Sequence, residues 1–195
     1  NGLFYHSEMN YSFEKYHMHN KTVKALAQGV KIMHVFEDEW KNNRPLVEAM
    51  ILHRLGLDAE KIDARKCDVV EIDKPAVRRR FFAENHLDGD VKAKKTWGLV
   101  HDGKLVAVLS LRKLQYRKGN CLEVARFATL RGTNVRGALG KLMKHAKKFC
   151  KENGVGRIVT YVDRRIGEGE AYETVGFTKS KQAYYRFWWT DRKTY

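Results

Sequence analysis

The stretch that decides the fold is Gly132-Thr133-Asn134-Val135-Arg136-Gly137-Ala138-Leu139-Gly140-Lys141-Leu142-Met143. From Ala138 onward the apolar positions Leu139, Leu142, Met143, Ala146 and Phe149 recur at helical spacing, so a glycine-containing loop over residues 132–140 feeds a long basic helix over 138–153. One face of that helix must be buried. Upstream, residues 122–130 read as a strand, and two more runs, 96–100 and 105–111, flank His101-Asp102-Gly103-Lys104. Asp-Gly between alternating apolar runs predicts a tight hairpin. Further back, Val69, Val70 and Ile72 predict a strand within 64–72, and Lys74-Pro75 opens a helix to about Asn85. Downstream come a strand over 157–162, a short helix over 169–175 and an aromatic strand over 182–189.

The first third of the chain has its own rhythm. Phe13, Tyr16, Val23, Leu26 and Ala27 fall at helical spacing, with Gly29 as a stop. Residues 30–36 alternate partly and lead into the acidic run Glu37-Asp38-Glu39, which predicts a strand entering a polar loop. Pro45 opens a helix ending near Leu55 and Gly56, since proline is tolerated in a first turn. The expected class is therefore α/β with a mixed sheet. A boundary near residues 56–65 divides the chain into units 1–60 and 61–195.

Charge is divided in the same way. Residues 1–65 carry 9 Lys and Arg against 9 Asp and Glu, while residues 66–195 carry 29 against 14, so the whole net charge of +15 lies in the second part. Counterion release from a polyanion needs clustered cations, so the expected partner is a nucleic acid, RNA as readily as duplex DNA on charge alone. The cations nominated for it are Arg78, Arg79, Arg80, Lys92, Lys94, Lys95, Arg112, Lys113, Arg117, Lys118, Arg164 and Arg165. The aromatic end containing Tyr184, Tyr185, Phe187, Trp188 and Trp189 could stack on bases or serve as core and edge. Three separated cysteines, Cys67, Cys121 and Cys150, suggest neither a disulfide framework nor a zinc site. No apolar run approaches the roughly 18 residues of a membrane span, and a cytoplasmic protein is expected. Asn1-Gly2-Leu3-Phe4-Tyr5-His6-Ser7 reads as the second half of a buried strand, so upstream sequence is expected to have been lost.

Two resemblances sharpen these expectations. From residue 64 the order of elements resembles that of GNAT acetyltransferases. Arg136-Gly137-Ala138-Leu139-Gly140-Lys141-Leu142-Met143 resembles the segment that wraps the pyrophosphate of acyl-CoA, and Ala171-Tyr172-Glu173-Thr174-Val175-Gly176-Phe177 resembles the family's Tyr-Glu-x-x-Gly-Phe element. The resemblance implies a donor site for acetyl-CoA or a related acyl-CoA at Arg131, Arg136, Gly137, Ala138, Leu139 and Gly140. Glycines let backbone N–H groups approach phosphate, and a helix N-terminus favours anions. The family's spacing runs Arg or Gln, two residues, Gly, one residue, Gly or Ala; here Val135 or Asn134 stands at the basic position, depending on register. Tyr172 matches the tyrosine that protonates a departing thiolate, and is also a good packing residue. No general base is evident.

The segment from Asn1 to Glu8, the Asn20-Lys21-Thr22 helix and the run 29–40 resemble the later half of very-short-patch-repair endonuclease domains. The likeness is to those in phage homing endonucleases of the EDxHD group, where a GNAT-like module follows the nuclease. This implies a partial restriction-endonuclease-like unit and phosphodiester hydrolysis in the full-length family, by a phage-encoded protein of a bacterial host. Its Mg²⁺ ligands would lie upstream of Asn1, and His6, Glu8 and Lys21 would be what remains of the site; no metal ligand is assigned within the chain. Segments around Cys67, Asn85 to Gly89, and Tyr161 to Arg165 are similar to the same phage proteins and to Mom-type DNA-modifying proteins, with Asp163 a candidate for an active cleft. The leading expectation is thus a DNA-processing protein, and the alternative an acyl-CoA-dependent acyltransferase of a nucleobase or amine.

Overall fold

The computed structural model describes residues 17–114 and 120–180. In chain order they form α1 (His17–Ala27), α2 (Glu37–Asn42), α3 (Arg44–Arg54), β1 (Glu60–Asp63), a 3₁₀ turn (Ala64–Lys66), β2 (Asp68–Glu71), α4 (Pro75–Asn85), β3 (Lys95–His101), β4 (Lys104–Lys113), β5 (Cys121–Thr129), β6 (Thr133–Arg136), α5 (Ala138–Glu152), β7 (Arg157–Thr160) and α6 (Glu170–Glu173). The β3–β4 hairpin turns where its sequence demands. Asp102 has φ 47° and Gly103 φ 75°, the two left-handed conformations of a type I′ turn, whose twist matches that of the strands it joins.

Five strands form one sheet in the order β2-β3-β4-β5-β7, antiparallel until β7, which runs parallel to β5. A parallel neighbour requires a crossover, and α5 supplies it. Leu139, Leu142, Met143, Ala146 and Cys150 of α5 are buried against Trp97, Leu99, Leu109, Leu111, Leu122 and Val124 of the sheet. Leu142 and Met143 are at most 1% exposed, and truncating either to alanine would cost about 2–5 kcal/mol. On the opposite face Phe81 and Phe82 of α4 pack on Val108 and Ala128. The sheet is therefore covered on both sides, a mixed α/β architecture.

Three expectations change. Residues 132–137 are not all loop, because β6 pairs in parallel with β1 from Glu60↔Thr133 to Asp63↔Arg136. The strand expected over 64–72 is divided into the 3₁₀ turn and β2. Residues 30–36 form no strand. They lead into α2, whose first turn holds Glu37, Asp38 and Glu39, where the helix dipole favours acids. Glu39 also accepts the Phe36 N–H at 2.9 Å. Described residues 17–59 are thus helices α1 to α3 without a ladder, so the second strand expected of a restriction-endonuclease-like unit does not form, while the first, expected over residues 1–7, lies outside the described residues. The aromatic strand expected over 182–189 lies outside the described residues. Among those described, no helix is long and apolar enough to cross a membrane.

Candidate active site

The site begins with a slip in register. Ser110 of β4 faces Arg126 of β5, but the next residue, Leu111, faces Val124, so Ala125 is an extra residue in β5. Such a bulge bends its strand and increases local twist. The consequence falls on the other edge of β5, where the ladder to β7 runs from Cys121↔Arg157 to Val124↔Thr160 and stops. Beyond that point β5 continues to Thr129 without β7 beside it. Two parallel strands that part in mid-sheet leave backbone N–H and C=O groups unpaired on facing edges, and a polar, extended ligand can satisfy them.

Tyr172 stands at this parting. The Thr160 side chain, at the last residue of β7, acts on the Tyr172 phenol as a hydrogen-bonding group that lowers the pKa, and the Thr160 hydroxyl donates to the Val124 carbonyl at 3.2 Å. The ring packs edge-on against Phe177, 5.7 Å between centroids, at the margin of the main core. Burial pushes the Tyr172 phenol above its ordinary value, while the bond to Thr160 pulls the other way. A tyrosine so placed keeps its proton at neutral pH. Because a threonine hydroxyl both donates and accepts, Thr160 can accept from the phenol and turn to donate to the phenolate.

The N-terminus of α5 is built without a cap. Gly137 occupies the N-cap position with φ 79° and no side chain bonds the first turn. An added Cβ at Gly137 would meet only Ala64 Cβ, at 3.8 Å, so the backbone is open there. The loop is braced from below: Lys141 Nζ donates to the carbonyls of Ala64 (2.9 Å) and Cys67 (2.5 Å). It is also braced at its start, where the buried Asn85 accepts the Arg131 N–H at 2.7 Å and donates to the Phe81 carbonyl at 2.7 Å. Arg131 and Arg136 are exposed, and Arg136 lies 3.5 Å from Asp63. First-turn amides, left-handed glycine and flanking guanidinium groups suit a phosphate.

A family model for the acetyltransferase (GNAT) family matches residues 62–177, which spans the sheet, the parting and both helices described above. The chain belongs to the acetyltransferase (GNAT) family. Among solved structures it is similar to the apo aminoglycoside 6′-N-acetyltransferase AAC(6′)-IG from Acinetobacter haemolyticus, at 12% identity, covering 64% of this chain and 99% of that one, TM-score 0.50. It is also similar to aminoglycoside N-acetyltransferase AAC(6′)-Iy in complex with CoA (11% identity, 62% and 94% covered, TM-score 0.46). A third is a ribosomal-protein-alanine N-acetyltransferase from Brucella melitensis (16% identity, 63% and 99% covered, TM-score 0.46). No curated protein sequence matches.

These findings correct the leading expectation. The family match makes the chain a GNAT protein rather than part of a homing endonuclease. Phosphodiester hydrolysis, and the phage setting inferred with it, therefore fall away. His6 and Glu8 lie outside the described residues, and Lys21 is exposed on α1. No cluster of three or more His, Cys, Asp or Glu able to hold a metal occurs among the described residues.

Much of the GNAT domain's positive charge is already engaged. Arg78 binds both oxygens of Asp90 (2.8 and 3.0 Å) and Arg112 both oxygens of Glu123 (2.8 and 2.9 Å). Lys95 pairs with Glu71, Arg80 with Glu84, and Arg164 with Glu168. Lys94 lies over the Phe149 ring of α5, on the opposite side of the sheet from the Arg78-Arg79-Arg80 run of α4. Arg79, Lys92 and Lys113 are exposed, while Arg117 and Lys118 lie outside the described residues. Asp163 and Arg165 bond one another (2.7 Å at the shortest) in the turn after β7. Thr160 and the Ala125 bulge were missed in the sequence, although the bulge leaves a trace. Leu122 and Val124 face the main core and so does Phe127, a slip of one in the alternation.

Proposed function

We propose that the chain transfers an acyl group from an acyl-CoA to an amine. The observation that carries the reading is the parting of β5 and β7 at Val124 and Thr160, with the Tyr172 phenol close enough to Thr160 to feel its hydrogen-bonding side chain. The residues present fit the donor: the uncapped first turn of α5, with Gly137, Ala138, Leu139 and Gly140, would hold the pyrophosphate, flanked by Arg131 and Arg136. The edge of β5 beyond Ala125, no longer laddered to β7, would align the extended arm. The donor, when bound, supplies a thioester carbonyl to an attacking amine.

The chain's own contribution is orientation and one proton. Tyr172, kept protonated by burial, gives its proton to the departing sulfur as general acid. Thr160 steadies the phenolate that results. Glu123, the carboxylate of β5 nearest the parting, has both oxygens bound by Arg112 and is not free to take a proton from the amine. The acceptor must therefore arrive neutral or lose its proton to water, so the rate should rise with pH as the amine deprotonates.

Calorimetric titration of the whole chain with acetyl-CoA tests the donor site, with Gly137→Asp as the variant that places a carboxylate where the phosphate would lie. Saturable binding that Gly137→Asp weakens at least about tenfold is expected; absence of binding to the folded parent chain would end the reading. Thiol release is then followed with an aminoglycoside, a polyamine, a lysine peptide and a duplex oligonucleotide as acceptor probes. Release dependent on the duplex would add DNA as a partner of the kind expected from the charge.

A further inference from the structure

The nine residues 161–169 between β7 and α6 separate Thr160 from Tyr172 by sequence but close back on themselves in space. Gly169, φ 85°, lies against Val162 so tightly that an added Cβ would stand 3.0 Å from Val162 Cγ2. Whatever sets the turn therefore sets both members of the Thr160–Tyr172 pair. Within the turn Asp163 accepts the Arg165 N–H (3.0 Å), and its carbonyl accepts those of Ile166 (3.0 Å) and Gly167 (3.2 Å). These bonds shape the turn without fixing it to anything else.

The fixing comes from residues 30–44, ahead of the family match. The His34 N–H donates to the Arg165 carbonyl at 2.9 Å. Arg165 Nη1 donates to Glu39 Oε1 at 3.0 Å while Nη2 and Nε hold Asp163. The guanidinium carbon stands 4.1 Å from the centre of the Phe36 ring. Only 13% of the Arg165 side chain is exposed. Its burial would weaken the charge, but the bonds and charges of Asp163 and Glu39 outweigh that and hold its pKa above the ordinary arginine value. A planar cation with an aromatic face on one side and carboxylates along its edges is a rigid fastening. At the far end of the turn, Lys31 bonds Glu170 of α6 at 2.6 Å, where both side chains are exposed.

We propose that Arg165 is a positioning residue for Tyr172, gripped by Phe36, Glu39 and His34 of the segment preceding the GNAT domain, so that this segment is required for the transfer step. The proposal rests on the acyl-transfer reading. It assigns the first third of the chain a role in the chemistry without contact with either substrate. Arg165 carries the coupling from Glu39 and Phe36 through Asp163 to the Val162–Gly169 contact, and from there to the phenol.

The test uses the full chain and four variants: Arg165→Ala, Phe36→Ala, Glu39→Gln and Lys31→Ala. Thiol release from acetyl-CoA with the best acceptor probe gives kcat and KM. Carbon-13 NMR of ring-labelled tyrosine, with the Tyr172 signal assigned by its loss in Tyr172→Phe, gives the titration of that phenol independently of turnover. Arg165→Ala and Phe36→Ala should lower kcat about tenfold or more, as a misplaced group does, with KM for acetyl-CoA within about twofold. Both should bring the Tyr172 titration down toward the ordinary tyrosine value as water enters. Glu39→Gln, which keeps an oxygen acceptor, should retain more of kcat than either. Lys31→Ala, which removes only the exposed pair with Glu170, should lose less of kcat than Arg165→Ala or Phe36→Ala. If Arg165→Ala fails to fold, Phe36→Ala carries the test. Folded variants with parental kcat and parental Tyr172 titration overturn the proposal. A parent without thiol release but with a Tyr172 titration that Phe36→Ala shifts would refute acyl transfer and leave the fastening intact.

Discussion

Replacing Tyr172 by phenylalanine isolates the proton from the packing. The ring keeps its edge-on partner Phe177 at 5.7 Å and fills the same volume. Thr160 still has the Val124 carbonyl to donate to, at 3.2 Å, so no hydroxyl is stranded by the change. The stability cost should be no more than about 1 kcal/mol, one modest hydrogen bond. The kinetic cost is of another size. Loss of a positioned general acid removes about 100-fold or more from the rate, which is about 2.7 kcal/mol of transition-state stabilisation. Donor binding does not use the hydroxyl, so the dissociation constant for acetyl-CoA should stay within about twofold. Because burial raises the Tyr172 pKa, the falling limb of the parent's kcat profile should lie above about pH 10, the ordinary tyrosine value, and should vanish in the variant. The assay is thiol release across pH, paired with calorimetry and a thermal melt. A variant that turns over at the parental rate, while binding donor and melting like the parent, would refute Tyr172 as the acid.

Arg78→Ala would leave Asp90, 13% exposed, without its bidentate partner; breaking such a buried pair costs about 3 kcal/mol, so the melting temperature should fall by roughly 6–12 °C, and a shift below about 2 °C would refute that role. Alkaline pH should also destabilise the fold. Burial raises the thiols of Cys67 and Cys150, against the opposing pull of Lys141 and Lys94, and raises the Tyr172 phenol. The unfolded chain therefore gives up these protons first, and stability is full below about pH 8.5, where unfolded thiols begin to titrate, and declines above it. Urea midpoints that hold level from about pH 7 to about pH 10.5 would contradict this.

The amino-acid sequence by itself determined what depends on neighbours along the chain. The Asp102-Gly103 turn, the Pro75 start of α4 and the apolar stripe of α5 each follow from local geometry. The glycine loop and the Tyr172 element identified the second part of the chain as GNAT-like for the same reason. Residues 30–36 show the limit of that reasoning. Partial alternation looks like a strand wherever it occurs, but a strand exists only where another offers its hydrogen bonds, and here the three acids that follow favour a helix start instead. Charge has a similar limit. A count of cations ignores distance, and Arg78, Arg112 and Arg165 meet carboxylates 12, 11 and 126 residues away. Only the tertiary structure could bring Val124, Thr160 and Tyr172 to the point where β5 and β7 part. That placement depends on one extra residue in β5 and on a turn held from outside the domain, and both are facts about which distant backbones lie side by side.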